Sequence, residues 1–172
     1  MKFTSYSLAE APFNFDIQWP FLTTHRKIIE DAISHVKIES LSEPSKLEEL
    51  LDRQLRNKGY LWDKLNKAEC SLWRPDFNML VDFFNPSEKI AIEVEKTEVK
   101  RIIHDILKLM NGSLTFVPKV RYGVLIYPKK YKRVSGKESP FHSILTSQVS
   151  FFFKSLLPYT KLNDILLISY DL

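Results

Sequence analysis

At 172 residues, with 44% hydrophobic and 27% charged side chains, the chain has the composition of a folded protein long enough to bury a core, and one domain is expected over residues 1–172. A single cysteine excludes an intramolecular disulfide and any cysteine-based metal cluster, and four glycines exclude a flexible low-complexity chain. The formal net charge of +4 permits a polyanionic partner without demanding one.

The opening segment, MKFTSYSLAEAPFNF, lacks the apolar stretch of a secretory leader, and no apolar run approaches a membrane span. The expected location is therefore the reducing interior of the cell, the cytoplasm, with no membrane partner. Residues 1–22, punctuated by Pro12 and Pro20, read as an irregular arm or a short strand. Thr24 is placed to cap a helix carrying Ile28, Ile29, Ala32, Ile33 and Val36 at helical spacing. This N-terminal arm and helix occupy residues 1–44.

Residues 45–172 form the expected core of the domain. Ser45-Lys46-Leu47-Glu48 fits a capping box, and Lys58-Gly59 supplies a basic last turn and a glycine stop. Between them Leu47, Leu50, Leu51 and Leu55 make an apolar stripe. Glu48 lies beside that stripe, so it is either the capping-box acid or a carboxylate facing a site. Residues 60–75 have little periodicity.

The stretch Arg74–Gly112 reads as strand, turn, strand, helix. Asn85-Pro86-Ser87-Glu88 suits a type I turn. In the strand that follows, Lys89 to Glu95, alternation sends Ile90, Ile92 and Val94 to one face and Ala91, Glu93 and Glu95 to the other. A simple hairpin sets Phe84 opposite Lys89 and Asp82 opposite Ala91, which brings Asp76, Asn78, Leu80 and Asp82 to the face of Glu93 and Glu95. Ionised glutamates on so apolar a strand are costly without a cation. Hard divalent cations take oxygen ligands of this kind, and such an ion polarises a phosphoryl oxygen and activates an attacking water. Asp82 can equally be read as a solvated residue flanking the turn.

Thr97 and Glu98 are suited to the start of the next helix, whose buried face carries Val99, Ile102, Ile103, Ile106, Leu109 and Met110. Lys100, Arg101, His104 and Lys108 are assigned to its solvated side, and Asn111-Gly112 to its end. Lys119 to Pro128 is an apolar strand, and a strand–helix–strand order implies a parallel crossover. It empties into Lys129, Lys130, Tyr131, Lys132 and Arg133, at a strand end where open α/β sheets bind ligands. A helix from Ser139-Pro140 to Pro158 and a last strand, Asp164 to Tyr170, complete the chain. The fold class is α/β: a central mixed β-sheet flanked by helices.

Pro75-Asp76 followed by Glu93-Val94-Glu95 on the next strand resembles the motif of the PD-(D/E)XK nuclease superfamily, over roughly residues 45–128. The resemblance implies a restriction-endonuclease-like sheet, Mg²⁺-dependent cleavage of DNA (with Mn²⁺ as a substitute), and a glutamate on an N-terminal helix, a place that Glu48 matches. Glu95 stands where the motif has lysine. That departure is similar to the BamHI- and BglII-like type II restriction endonucleases, whose motif reads E-x-E or E-x-Q. In that alignment the metal-binding Asp is Asp82. In the Pro-Asp pattern, which the context favours, it is Asp76.

What the resemblance implies for the site is that Asp76 or Asp82 binds the metal with Glu93 and the Val94 carbonyl, while Glu95 orients or deprotonates water. Lys96, Lys100, Arg101, Lys129, Lys130, Lys132 and Arg133 are the candidate contacts to DNA phosphates. On a regular strand Lys96 faces away from Glu93. The implied partners are double-stranded DNA and a second copy or a heteromeric partner subunit, in a prokaryotic restriction system. A junction-resolvase-like repair nuclease and a catalytically inactive nucleic-acid-binding relative are the alternatives.

Overall fold

A computed structural model describes residues 1–11, 13–36, 45–71, 80–96, 101–115, 119–132, 138–139 and 141–171. Asp76 and Asn78 of the acidic stretch, Thr97 and Glu98, and Lys100 and Arg133 of the basic set lie outside them. Helix α1 spans Thr23–Ser34 and α2 spans Ser45–Leu55. Helices α4 and α5 span Arg101–Thr115 and Phe141–Leu156, and a short α3 covers Lys67–Cys70. Among the described residues no helix is long and apolar enough to cross a membrane.

Six strands form one mixed sheet: β1 (Phe3–Ser7), β2 (Leu61–Trp62), β3 (Phe83–Asn85), β4 (Ile90–Val94), β5 (Tyr122–Pro128) and β8 (Asp164–Tyr170). Their order is β1-β8-β5-β4-β3-β2. The central pairs β4–β5 and β5–β8 are parallel, whereas β1–β8, β3–β4 and β2–β3 are antiparallel. Two further short strands, β6 (Tyr131–Lys132) and β7 (Glu138–Ser139), pair apart from this sheet. The first residues thus take the strand option, as an edge strand beside the last strand of the chain.

The central strands are buried on both faces, and two cores follow from the alternation. On one face Ala91, Leu125, Tyr127, Ile165 and Leu167 pack with Ile102, Ile106, Leu109 and Met110 of α4. On the other, Ile90, Ile92, Val94, Val124, Ile126 and Leu166 pack with Ile29 and Ile33 of α1 and Leu47, Leu51 and Leu55 of α2. Helix α4 sits close on β5: a Cβ at Gly123 would lie 2.8 Å from Leu109 Cδ1 and 3.2 Å from Ile165 Cγ1.

Several local expectations are corrected. The β3–β4 pairing sets Phe84 opposite Ala91 and Asn85 opposite Ile90, two residues away from the simple hairpin. The loop is longer because Lys89 takes a left-handed φ of 60°, while Asn85 Oδ1 accepts from the Glu88 amide. A shift of two keeps the paired side chains of β3 and β4 on their expected faces, since strand alternation has period two. Helix α1 begins at Thr23 after Leu22, with no side-chain cap, and α4 continues through Gly112 to Thr115. Helix α2 passes into a 3₁₀ turn, Arg56–Lys58, that stops at Gly59 with φ 85°.

Candidate active site

Strand β4 stops at Val94, and the two helices that cover opposite faces of the sheet, α2 and α4, frame the space beyond it. A cavity of about 360 Å³ opens there. Glu93 enters from the strand, Asp82 from the residue before β3, Glu95 and Lys96 from just past the strand end, Glu48 from α2, and Arg101 from the start of α4. Asp63, after β2, and Asp105 and Lys108, on α4, complete the lining side chains.

Each acid is held in a particular way. Glu93 is 3% exposed. Its Oε2 accepts from Lys108 Nζ at 2.6 Å, and its Oε1 is buried with no hydrogen-bond partner among the described residues. Burial drives the Glu93 carboxyl well above the usual carboxylate range; the Lys108 ammonium opposes this, and the nearby Asp82 and Asp105 charges add to it. Asp82 Oδ2 accepts from the Val94 amide at 2.6 Å, which ties the acid of one strand to the end of the next. Burial, with the Glu48 charge, pushes the Asp82 carboxyl up to about 7. Glu95 is buried; its amide donates to the Ile126 carbonyl, and its Oε1 accepts from the Lys96 amide at 2.8 Å.

Glu48 is buried and pairs with Lys96 and, at 3.8 Å, with Lys64. Lys96 therefore reaches the cavity after all, because the strand ends before it and the α2 side of the sheet opens into the same space. Of the other basic candidates, Arg101 lines the cavity, and Lys129 Nζ pairs with Asp171 at 2.9 Å. Lys130 follows at the end of β5, and Lys132 belongs to β6.

Three lining residues escape the sequence reading. Lys108 is not solvated: its side chain is 11% exposed and lies between Glu93 and Asp105. Despite burial, those two acids hold its ammonium above the ordinary lysine value. Asp105 carried a signal, because it takes the i+3 place in the apolar stripe Ile102, Ile106, Leu109, where an acid needs a partner. Burial raises its carboxyl, and Lys108 counters that. Asp63 sits in a stretch with no periodic signal. Its amide donates to the Asp82 carbonyl, its Oδ1 is buried without a partner among the described residues, and burial raises its carboxyl.

Six carboxylates and three cationic side chains line this cavity among the described residues. The donor set is hard oxygen, and the orphaned Glu93 Oε1 is a position where a cation would replace lost hydration. Among the described residues no three metal-ligating side chains converge tightly enough to hold an ion alone. Hard divalent cations are often bound through one or two carboxylates, with waters and substrate phosphate completing the shell. Asp82 and Glu93, flanking Val94, are the residues that suit such an ion.

Comparison with known proteins bears on the family and the fold. Residues 24–170 match the family described as "Putative halobacteria restriction endonuclease". The chain belongs to this restriction-endonuclease family. No curated protein sequence matches it. Its fold is similar to the crystal structure of restriction endonuclease BglII complexed with a DNA 16-mer, with a TM-score of 0.65 and 10% identity. That match covers 100% of this chain and 77% of the other. The restriction-endonuclease family and the PD-(D/E)XK-type fold together point to a DNA nuclease, a hydrolase, built on the six-stranded mixed sheet.

Proposed function

We propose that the chain is a divalent-metal-dependent endodeoxyribonuclease of the type II restriction kind, hydrolysing phosphodiester bonds of double-stranded DNA. The observation that carries this reading is the buried, half-unpartnered Glu93 beside Asp82 in a carboxylate-rich cavity at the end of β4. Asp82 and Glu93, with the Val94 carbonyl, would hold Mg²⁺ or Mn²⁺; Asp76, from its Pro-Asp context, is the other candidate aspartate. When bound, the metal supplies Lewis-acid polarisation of the phosphate and a water of lowered pKa.

The chain's own residues do the rest. Glu95 orients the attacking water or takes its proton. Glu48 adds negative charge on the α2 side, where Lys96 neutralises it. Lys96, Lys100, Arg101, Lys129, Lys130, Lys132 and Arg133 are proposed to hold backbone phosphates around this acidic centre. One cavity of this kind acts on one strand. A double-strand cut therefore calls for a homodimer or a partner subunit, with the chain as the small catalytic subunit.

The test is cleavage of plasmid DNA with Mg²⁺ or Mn²⁺ and with EDTA. Discrete fragments that need the metal support the reading. Glu93→Ala is expected to lose more than about 100-fold in rate, beyond the scale seen for a metal's outer-shell partners. A folded Glu93→Ala protein that cuts at the normal rate would falsify it. A catalytically silent DNA-binding relative is the second reading, favoured by Lys96 and Lys108, which pair with Glu48 and Glu93. Calorimetric titration with Mn²⁺ separates the two, since only the first binds metal. Cleavage confined to branched substrates would instead indicate a junction nuclease.

A further inference from the structure

An ammonium group has three protons to donate. Lys108 Nζ has three acceptors: Glu93 Oε2 at 2.6 Å, the Leu80 carbonyl at 3.1 Å and Asp105 Oδ1 at 3.2 Å. It therefore has no donor left for DNA or water unless it gives one of these up. Of the two Glu93 oxygens, Lys108 takes one; the other is buried with no hydrogen-bond partner among the described residues, on a side chain that lines the cavity.

We propose that Lys108, steadied by Asp105, is a positioning residue that fixes the Glu93 carboxylate through Oε2 so that Oε1 alone is presented to the catalytic cation. The inference rests on the metal-dependent reading above and deepens it. Asp105 and Lys108 are spaced i, i+3 on α4, where side chains are neighbours by helix geometry. Helix α4 is in turn seated on β5 through the close Leu109–Gly123 approach, so the ammonium is located by the packing of the helix on the sheet. The third acceptor, Leu80, belongs to the segment leading to β3 and adds a second anchor. Just past β4, Glu95 stands where the related motif has lysine, and α4 supplies a buried ammonium to the same carboxylate cluster.

The experiment is isothermal titration of the folded protein with Mn²⁺ at one fixed pH and well below its melting temperature, with circular dichroism as the check on folding. Lys108→Met is expected to weaken binding 10–100-fold at unchanged stoichiometry, the scale of losing a partner that orients a ligand. Asp105→Asn should weaken it in the same direction by less, and Lys108→Arg should restore part of the loss. A purely structural role would lower the melting temperature and leave the Mn²⁺ affinity of the folded protein where it was. Wild-type affinity, or tighter binding, in folded Lys108→Met overturns the proposal while leaving the metal reading intact. If Lys108→Met does not fold, Asp105→Asn decides alone, and an unchanged affinity there is equally fatal. A wild-type protein that takes up no Mn²⁺ removes both.

Discussion

Burial and the Glu48 charge push the Asp82 carboxyl up to about 7, against an ordinary value near 3.8. Between those two pH values the folded protein binds a proton that the unfolded chain has already released. The metal-free protein therefore loses stability as pH rises from about 4 to about 7, and the loss levels off above that. The effect is on the order of 2–4 kcal/mol, because each tenfold change in proton affinity is worth about 1.4 kcal/mol. Glu93 is raised in the same direction and adds to the fall. Asp82→Asn keeps an oxygen for the Val94 amide and has no proton to lose. In EDTA it should match the natural protein near pH 4 and melt several degrees higher at pH 8. Parallel calorimetric melting profiles for the two proteins would contradict this. At the same scale, alternation predicts Asp82, Glu93 and Glu95 on one face, and all three line the cavity. Lys108 was hidden because a lysine on a helix flank gives no sign of what it can reach.

Elements were legible wherever the apolar pattern was long. Strand β8 follows DILLISY residue for residue, and α4 follows the Ile102, Ile106, Leu109 stripe. Pattern failed where a backbone choice decided the outcome. A left-handed Lys89 carries no composition signal, so the hairpin register moved by two, and Gly112 continues a helix it was expected to stop. The sequence also does not say why Gly123 is glycine. In the structure it lets α4 lie against β5, with no room for a Cβ beside Leu109 and Ile165. Gly123→Ala is expected to destabilise by about 1–3 kcal/mol, the usual range for overpacking a filled core. Because α4 carries Asp105 and Lys108, the same change should disturb the Lys108–Glu93 pair. Urea unfolding measures the first effect. A Gly123→Ala protein as stable as the natural one would mean that Leu109 simply turns aside.

At the scale of the molecule, the order of helices, hairpin, helix, strand, helix and strand was enough to specify a mixed sheet with helices on both faces, because crossover connections leave few alternatives. What that order does not reveal is where charge accumulates. The net +4 is spread over the chain, yet the cavity at the end of β4 concentrates six carboxylates against three cations among the described residues. A DNA phosphate entering there meets repulsion until positive charge arrives, and bound divalent metal is the natural source. DNA affinity should therefore rise with Mg²⁺ or Mn²⁺, and it should also rise in EDTA when the acids are neutralised. Asp82→Asn, compared at pH 8 where the natural Asp82 is ionised, is expected to bind a short duplex about tenfold more tightly than the natural protein without metal, equivalent to about 1.4 kcal/mol. Raising the salt should weaken both complexes if the proposed phosphate contacts displace counterions from the backbone. Fluorescence anisotropy on a labelled duplex with non-hydrolysable linkages gives both numbers. Equal affinities in EDTA, with no gain on adding metal, would mean that DNA phosphates never approach this cavity, and the basic side chains around it would then serve some other surface.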